Sequence, residues 1–196
     1  MEQPALIHEH ALNNLRYIRD AMERTVAFTS IPGWGGVAIG FTATATSLFA
    51  QEFTASNRGR WLTVWLTEAV VAALIALLTM IRKGRRNGVS FLAPASKRFF
   101  VSYSAPLLAA GLLTIILVRQ HAMEAVPATW LLLYGSSFIS SGAFSIRVIP
   151  VMGVCFMLLG LIACFVSLPA SNVLLGAGFG GLHVIFGVII ARTYGG

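Results

Sequence analysis

Six stretches of about twenty mostly apolar residues recur along this chain, and that recurrence restricts its fold more than any other feature. The windows cover residues 31–50, 61–81, 100–118, 127–146, 148–168 and 172–191. An α-helix rises about 1.5 Å per residue, so each window can cross a hydrocarbon layer about 30 Å thick with its backbone amides bonded internally. Composition points the same way. Of the 196 residues, 57% are hydrophobic and 11% are charged, against about 25% charged in a soluble domain. The expected fold is an all-α membrane protein: a six-transmembrane-helix bundle over residues 31–196, preceded by an N-terminal cytoplasmic amphipathic helix within residues 1–30.

A net charge of +7 would suit nucleic acid if the bases formed one soluble face, but they fall between the apolar windows, so nucleic acid is not an expected partner. Arg16, Arg19 and Arg24 precede the first window, and Arg82, Lys83, Arg85, Arg86, Lys97 and Arg98 separate the second from the third. With alternating helices, Arg147 and Arg192 join that side, leaving only Arg58, Arg60 and Arg119 opposite. Cytoplasmic loops carry the excess of Lys and Arg, so both termini are expected inside. The first thirty residues are charged and periodic rather than built like a cleaved signal, and the first window is expected to be a retained helix. Trp61, Trp65, Trp130, Tyr103 and Tyr194 lie near window ends, where an interfacial aromatic belt is expected.

Between the fourth and fifth windows, Ala143 to Pro150 offers almost no polar loop. One straight helix from Pro127 to Leu168 would reach roughly 60 Å. Pro150 disfavours helix at Ile149 and Arg147 seeks headgroups, so a tight turn is expected; a kinked re-entrant pair is the alternative, and it would move the C-terminus outside. Pairs of small residues four apart, Gly36/Gly40, Ser136/Ser140, Ser141/Ser145 and Gly176/Gly180, are candidate helix contacts. Cys155 and Cys164, nine positions apart in one window, would be roughly 13 Å apart along a helix and cannot bridge.

Outside the windows, Ala11, Leu15, Ile18, Met22 and Val26 form an apolar stripe at helical spacing, opposite the i,i+4 charge pairs Arg16/Asp20, Arg19/Glu23 and Asp20/Arg24. Such a helix rests on the inner membrane surface, or it docks a second copy or a cytoplasmic protein through Leu15, Ile18 and Met22. The basic break, with Arg82, Lys83, Arg85, Arg86, Lys97 and Arg98, is expected to hold anionic headgroups at about 1 kcal/mol per residue. Phe99 and Phe100 would anchor it at the interface.

Two ionisable residues lie well inside windows, and an intramembrane charge is costly enough to suggest a role. Glu68 is roughly 10 Å below the outer boundary and His183 roughly 16 Å, so they would meet if their helices are neighbours. They are expected to form either a buried couple that fixes helix register or a proton- or cation-handling pair lining a small pathway, with a lone Glu68 facing an outer vestibule as the remaining alternative. Metal, haem and other cofactors are not expected. His8 and His10 would point in nearly opposite directions on a helix, and His183 is the single histidine deep in a window. HExxH, GxSxG and phosphate-loop patterns do not occur; Gly33-Trp34-Gly35-Gly36 lacks the Lys and Ser/Thr of a P-loop.

The stretches Asn13 to Arg19, Phe28 to Gly36 and Gly142 to Gly153 resemble an uncharacterised family of small bacterial multi-pass membrane proteins. The resemblance implies the bacterial plasma membrane and brings no activity, substrate or catalytic residue. The expected function is that of a non-enzymatic membrane component or partner-docking subunit. The alternative is a small proton- or cation-linked transporter or channel using Glu68 and His183.

Overall fold

A computed structural model describes residues 14–15, 28–88 and 93–195. Among these the chain is helical, with one isolated backbone bridge between Phe28 and Ser145. The helices are α1 (Gly33–Ala50), α2 (Phe53–Ser56), α3 (Arg58–Arg86), α4 (Pro94–Arg119), α5 (Val126–Gly142), α6 (Val148–Ala163) and α7 (Leu168–Tyr194). Local chemistry sets their ends. Asn57 caps α3 by accepting from the Arg60 amide at 2.9 Å, and Pro94 and Pro127 occupy first-turn positions where a missing N–H costs nothing. His121 ends α4 in the left-handed conformation with φ 57°, while the following Ala122 amide reaches back to the Leu117 carbonyl at 2.8 Å.

Three helices, α3, α4 and α7, are long and apolar enough to cross a membrane. The other three predicted windows also fold as helices, of 18, 17 and 16 residues for α1, α5 and α6, or about 27, 26 and 24 Å at the usual rise. The fourth window closes earlier than expected, at Gly142, because the next residues are bonded to another segment. The Phe28 amide donates to the Phe144 carbonyl at 2.7 Å, and the Ser145 hydroxyl donates to the Phe28 carbonyl at 2.7 Å. Residues Ala143 to Arg147 thereby form the tight turn between α5 and α6.

Packing depends on glycine where helices touch. α1 and α7 run antiparallel: a Cβ on Gly33 would lie 2.2 Å from the Ala191 nitrogen, one on Gly40 2.7 Å from the Gly180 carbonyl, and one on Gly187 2.7 Å from the Val37 nitrogen. The Gly36/Gly40 and Gly176/Gly180 spacings therefore mark one interface, with Thr44 and Ser47 facing Gly180 and Gly176. Gly135 and Gly153 bring α5 and α6 together in the same way. Of the serine pairs, Ser141 is buried against its own helix, whereas Ser140 donates to the Ser102 carbonyl of α4 at 2.9 Å.

The helices follow one another in space as an open arc: α3 on α1, α1 on α7, α7 against α5 and α6, and α5 on α4. α7 is the inner helix, with 39% of its most apolar window buried, against 6% for α3 and 11% for α4 at the ends of the arc. The outward faces are apolar; Leu74, Leu78, Leu108, Leu112, Leu158 and Leu161 are all more than half exposed. A water-facing surface rarely carries so much contiguous hydrocarbon, and lipid is the solvent that suits it. The expected N-terminal helix, including Ile18 and Met22, lies outside the described residues; Leu15 is exposed.

Candidate functional site

Where the arc fails to close, α3 faces α4 and α5 across a groove of about 450 Å³. Its α3 wall is stepped down by Ala69, Ala72, Ala73 and Ala76, and the opposite wall is aromatic, with Phe100, Tyr103, Trp130 and Tyr134. Leu66 and Leu77 line it while staying 43% and 52% exposed, so they form its rim. From Trp61 to Met80 the groove follows twenty residues of α3, about 28 Å.

Glu68 is the single acidic residue in that lining, and it is 7% exposed. Two hydroxyls of α1 hold its carboxyl: Thr42 Oγ1 is 2.8 Å from Oε1, and Thr46 Oγ1 is 3.2 Å from Oε2. Thr42 Oγ1 is also 2.9 Å from the Ile39 carbonyl. A hydroxyl has one proton to give, so two arrangements fit the same geometry. In one, Thr42 donates to an ionised Glu68; in the other, a protonated Glu68 donates to Thr42, which donates to Ile39. The far side of Glu68 borders a second, shallower cleft that runs toward Arg60 and includes Thr46, Thr63 and Thr67. Arg60 itself lies over the Phe53 ring at 4.7 Å, and among the described residues no lysine or arginine pairs with Glu68.

The structure does not bring Glu68 and His183 together. His183 is buried behind the groove wall, where its Nε2 is 2.9 Å from the Tyr134 hydroxyl. Phe138, Phe156 and Phe179 surround the ring, Phe179 stacking at 6.2 Å and 17°. Residues Gly176–Leu182 of α7 are wound as a π-helix, which sets residues four apart more nearly in line than an α-helix does. The Nδ1 atom is buried without a hydrogen-bond partner. His183 thus reaches the groove only through Tyr134.

At the Arg60 end of the groove, one amide joins three helices. Asn172 is fully buried, and its Oδ1 accepts from the indoles of Trp61 and Trp65, both at 2.9 Å. Its Nδ2 donates to the Ser47 carbonyl at 2.9 Å and to Gln51 Oε1 at 2.6 Å, while the Ser47 hydroxyl donates to the Asn172 carbonyl at 3.1 Å. Trp61 and Trp65 are therefore interior hydrogen-bond donors rather than members of an interfacial belt, because a buried indole N–H needs an acceptor. Trp130 likewise turns inward to Thr114 at 3.0 Å, and Tyr103 joins the aromatic cluster. Sequence reasoning missed this arrangement; the lone Asn172 amide in an apolar run and the i,i+4 pairs Trp61/Trp65 and Thr42/Thr46 were its available signals.

The basic residues divide. Arg82, Arg85, Arg86, Lys97 and Arg98 are exposed at one end of the bundle. Lys83 is not available to headgroups: it is buried, and its ammonium donates to the Ile31 carbonyl at 2.9 Å, the Tyr194 carbonyl at 3.1 Å and the Gly195 carbonyl. It ties the entry to α1 and the negative end of α7 to α3, an arrangement the helix dipole favours. Among the described residues no cluster of His, Cys, Asp and Glu could hold a metal, and Cys155 and Cys164 are both free. No protein-family model, no curated protein and no solved structure matches this chain, so the groove and its carboxyl have to be interpreted from their own geometry.

Proposed function

We propose that this chain is a six-span integral membrane protein, with both termini on the cytoplasmic side of a bacterial plasma membrane, that holds a lipid-soluble molecule in the groove between α3 and α4–α5. The groove carries this reading. Its volume falls in the usual range of small-molecule sites, about 300–1,000 Å³, and its lining is apolar and aromatic with few polar groups, a composition suited to binding rather than bond-making. Six spans are supported by the alternation of helix ends, which gathers Arg82, Arg85, Arg86, Lys97, Arg98, Arg147 and Arg192 at one end and Arg58, Arg60 and Arg119 at the other. The shorter helices fit a bilayer that thins locally, at a cost of fractions of a kcal/mol per Å. The exposed arginines at the first end suit anionic headgroups.

Photolabelling in lipid nanodiscs with a neutral long-chain alkyl diazirine tests the groove. Label is expected to concentrate on α3 and α4–α5 residues of the lining, and Ala73→Trp, which fills the space, should abolish that concentration. Uniform labelling of every lipid-facing helix, or a dimer held together through α3, would overturn the reading.

A docking role for Leu15, Ile18 and Met22 is the second reading, favoured by the exposure of Leu15. It expects a cytoplasmic protein or a second copy to copurify from native membranes with the intact chain and to be lost when all three are changed to Ser.

A further inference from the structure

We infer that the ligand of this groove is a lipid-soluble organic cation, which Glu68 binds in exchange for a proton; this rests on the groove being a ligand site. Three observations converge on Glu68. It places one carboxyl in a wall that is otherwise apolar and aromatic, 7% exposed and without a basic partner among the described residues. A buried carboxylate with no counter-ion favours an occupant that supplies the positive charge, and the aromatic residues Trp65, Tyr103 and Trp130 in the lining suit a cation. The Thr42 hydroxyl can serve either protonation state, turning its proton to Oε1 or to the Ile39 carbonyl. The cleft on the other side of Glu68, where Thr46, Thr63, Thr67 and Arg60 stand among Phe49, Val64 and Val71, offers the approach from the Arg60 end by which the proton would leave and return.

Depth limits the chemistry of the cation. Glu68 lies seven residues beyond Trp61, about 10 Å along the helix. A zwitterionic lipid amine reaching that level would drag its phosphate into hydrocarbon. A cation whose charge is delocalised or wrapped in apolar groups carries no such partner. The exchange balances simply: the carboxylic O–H releases its proton to the cleft, and the resulting carboxylate neutralises the cation in the groove. Other titratable groups facing this space are Tyr103 of α4 and Tyr134 of α5 across the groove and Arg60 of α3 at the cleft; α1 contributes no titratable side chain, and His183 of α7 is screened by Tyr134.

The test uses the full chain in phosphatidylcholine nanodiscs, with tetraphenylphosphonium as the cation and the neutral alkyl diazirine as the control. Tetraphenylphosphonium should bind at neutral pH and lose affinity as pH falls. Glu68→Gln, which removes the charge but keeps an acceptor for one threonine and offers its N–H to the other, should weaken it by at least about tenfold, the change that about 1.4 kcal/mol of lost attraction gives, and should flatten the pH dependence. Neutral labelling should persist in that variant. Equal cation affinity in wild type and Glu68→Gln, with neutral labelling intact, would overturn the cation inference and leave the groove standing; absence of neutral labelling from the wild-type groove would remove the groove itself. If Glu68→Gln loses both probes, Glu68→Asp decides: retained cation binding supports the charge requirement, and its loss overturns it.

Discussion

At the residue scale, a few polar side chains do work in this protein that apolar neighbours cannot. Asn172 uses its full amide capacity, two bonds accepted and two donated, in a place where water cannot substitute. Asn172→Ala would leave two indole N–H groups without their acceptor and remove one donor each from the Gln51 side chain and from the Ser47 carbonyl, which keeps the Gln51 amide at 3.1 Å. Hydrogen bonds inside membranes average well under 1 kcal/mol each by double-mutant cycles, but stranded buried groups cost about 1–3 kcal/mol, so a loss of about 2 kcal/mol is expected. Reversible unfolding in detergent mixtures measures it; an unchanged midpoint would show that the network contributes nothing. His121 offers the opposite case. A residue with a Cβ pays about 1–2 kcal/mol for its left-handed φ, part of which the greater freedom of unfolded glycine takes back, so His121→Gly should stabilise by up to about 1 kcal/mol. Lower stability in the same assay would mean that the imidazole makes a compensating contact.

Elements are held together here by close backbone approach and by ties at their ends. Gly40 and Gly111 separate two consequences of the same substitution. Alanine at Gly40 would drive a Cβ into the Gly180 carbonyl and the Val184 nitrogen, whereas alanine at Gly111 meets nothing within 4 Å. Gly40→Ala should therefore loosen α1 from α7 and cost about 1–3 kcal/mol, the usual penalty of overpacking, while Gly111→Ala should be neutral or stabilising by up to about 1 kcal/mol through helix propensity. Equal effects would refute the antiparallel glycine interface. Lys83 tests the ties. Lys83→Met keeps an unbranched apolar stem but strands three carbonyls, so amide exchange should rise at the C-terminal turn of α7 and around Ile31, with the Asn172 end unaffected.

For the whole molecule, the open arc decides where a ligand could sit, and the proposed orientation, drawn from the distribution of arginine, is open to a direct labelling test. With both native cysteines replaced by alanine, a single cysteine at Gln120 should react with a membrane-impermeant maleimide on intact cells. One at Asn87 should react only after permeabilisation. The reverse pattern would invert the topology, and labelling of both from outside would break the six-span alternation.

Much of this was legible in residue order. The helical class, the six helical segments, the turn between α5 and α6 and the burial of Glu68 and His183 all follow from local hydropathy and spacing, because those properties act within one or two helical turns; the expectation that Pro150 keeps Ile149 out of helix does not hold, since α6 starts at Val148 and takes the proline into its first turn. Residue order did not reveal that Glu68 would meet Thr42 and Thr46 while His183 met Tyr134. Nor did it reveal that the tryptophans of α3 would turn inward to Asn172, or that Lys83 would be enclosed by carbonyls. Those outcomes depend on which helix faces become neighbours. In a chain this rich in glycine and alanine, many faces are smooth enough to pack, so only the tertiary arrangement selects among them and leaves α3 standing away from α4.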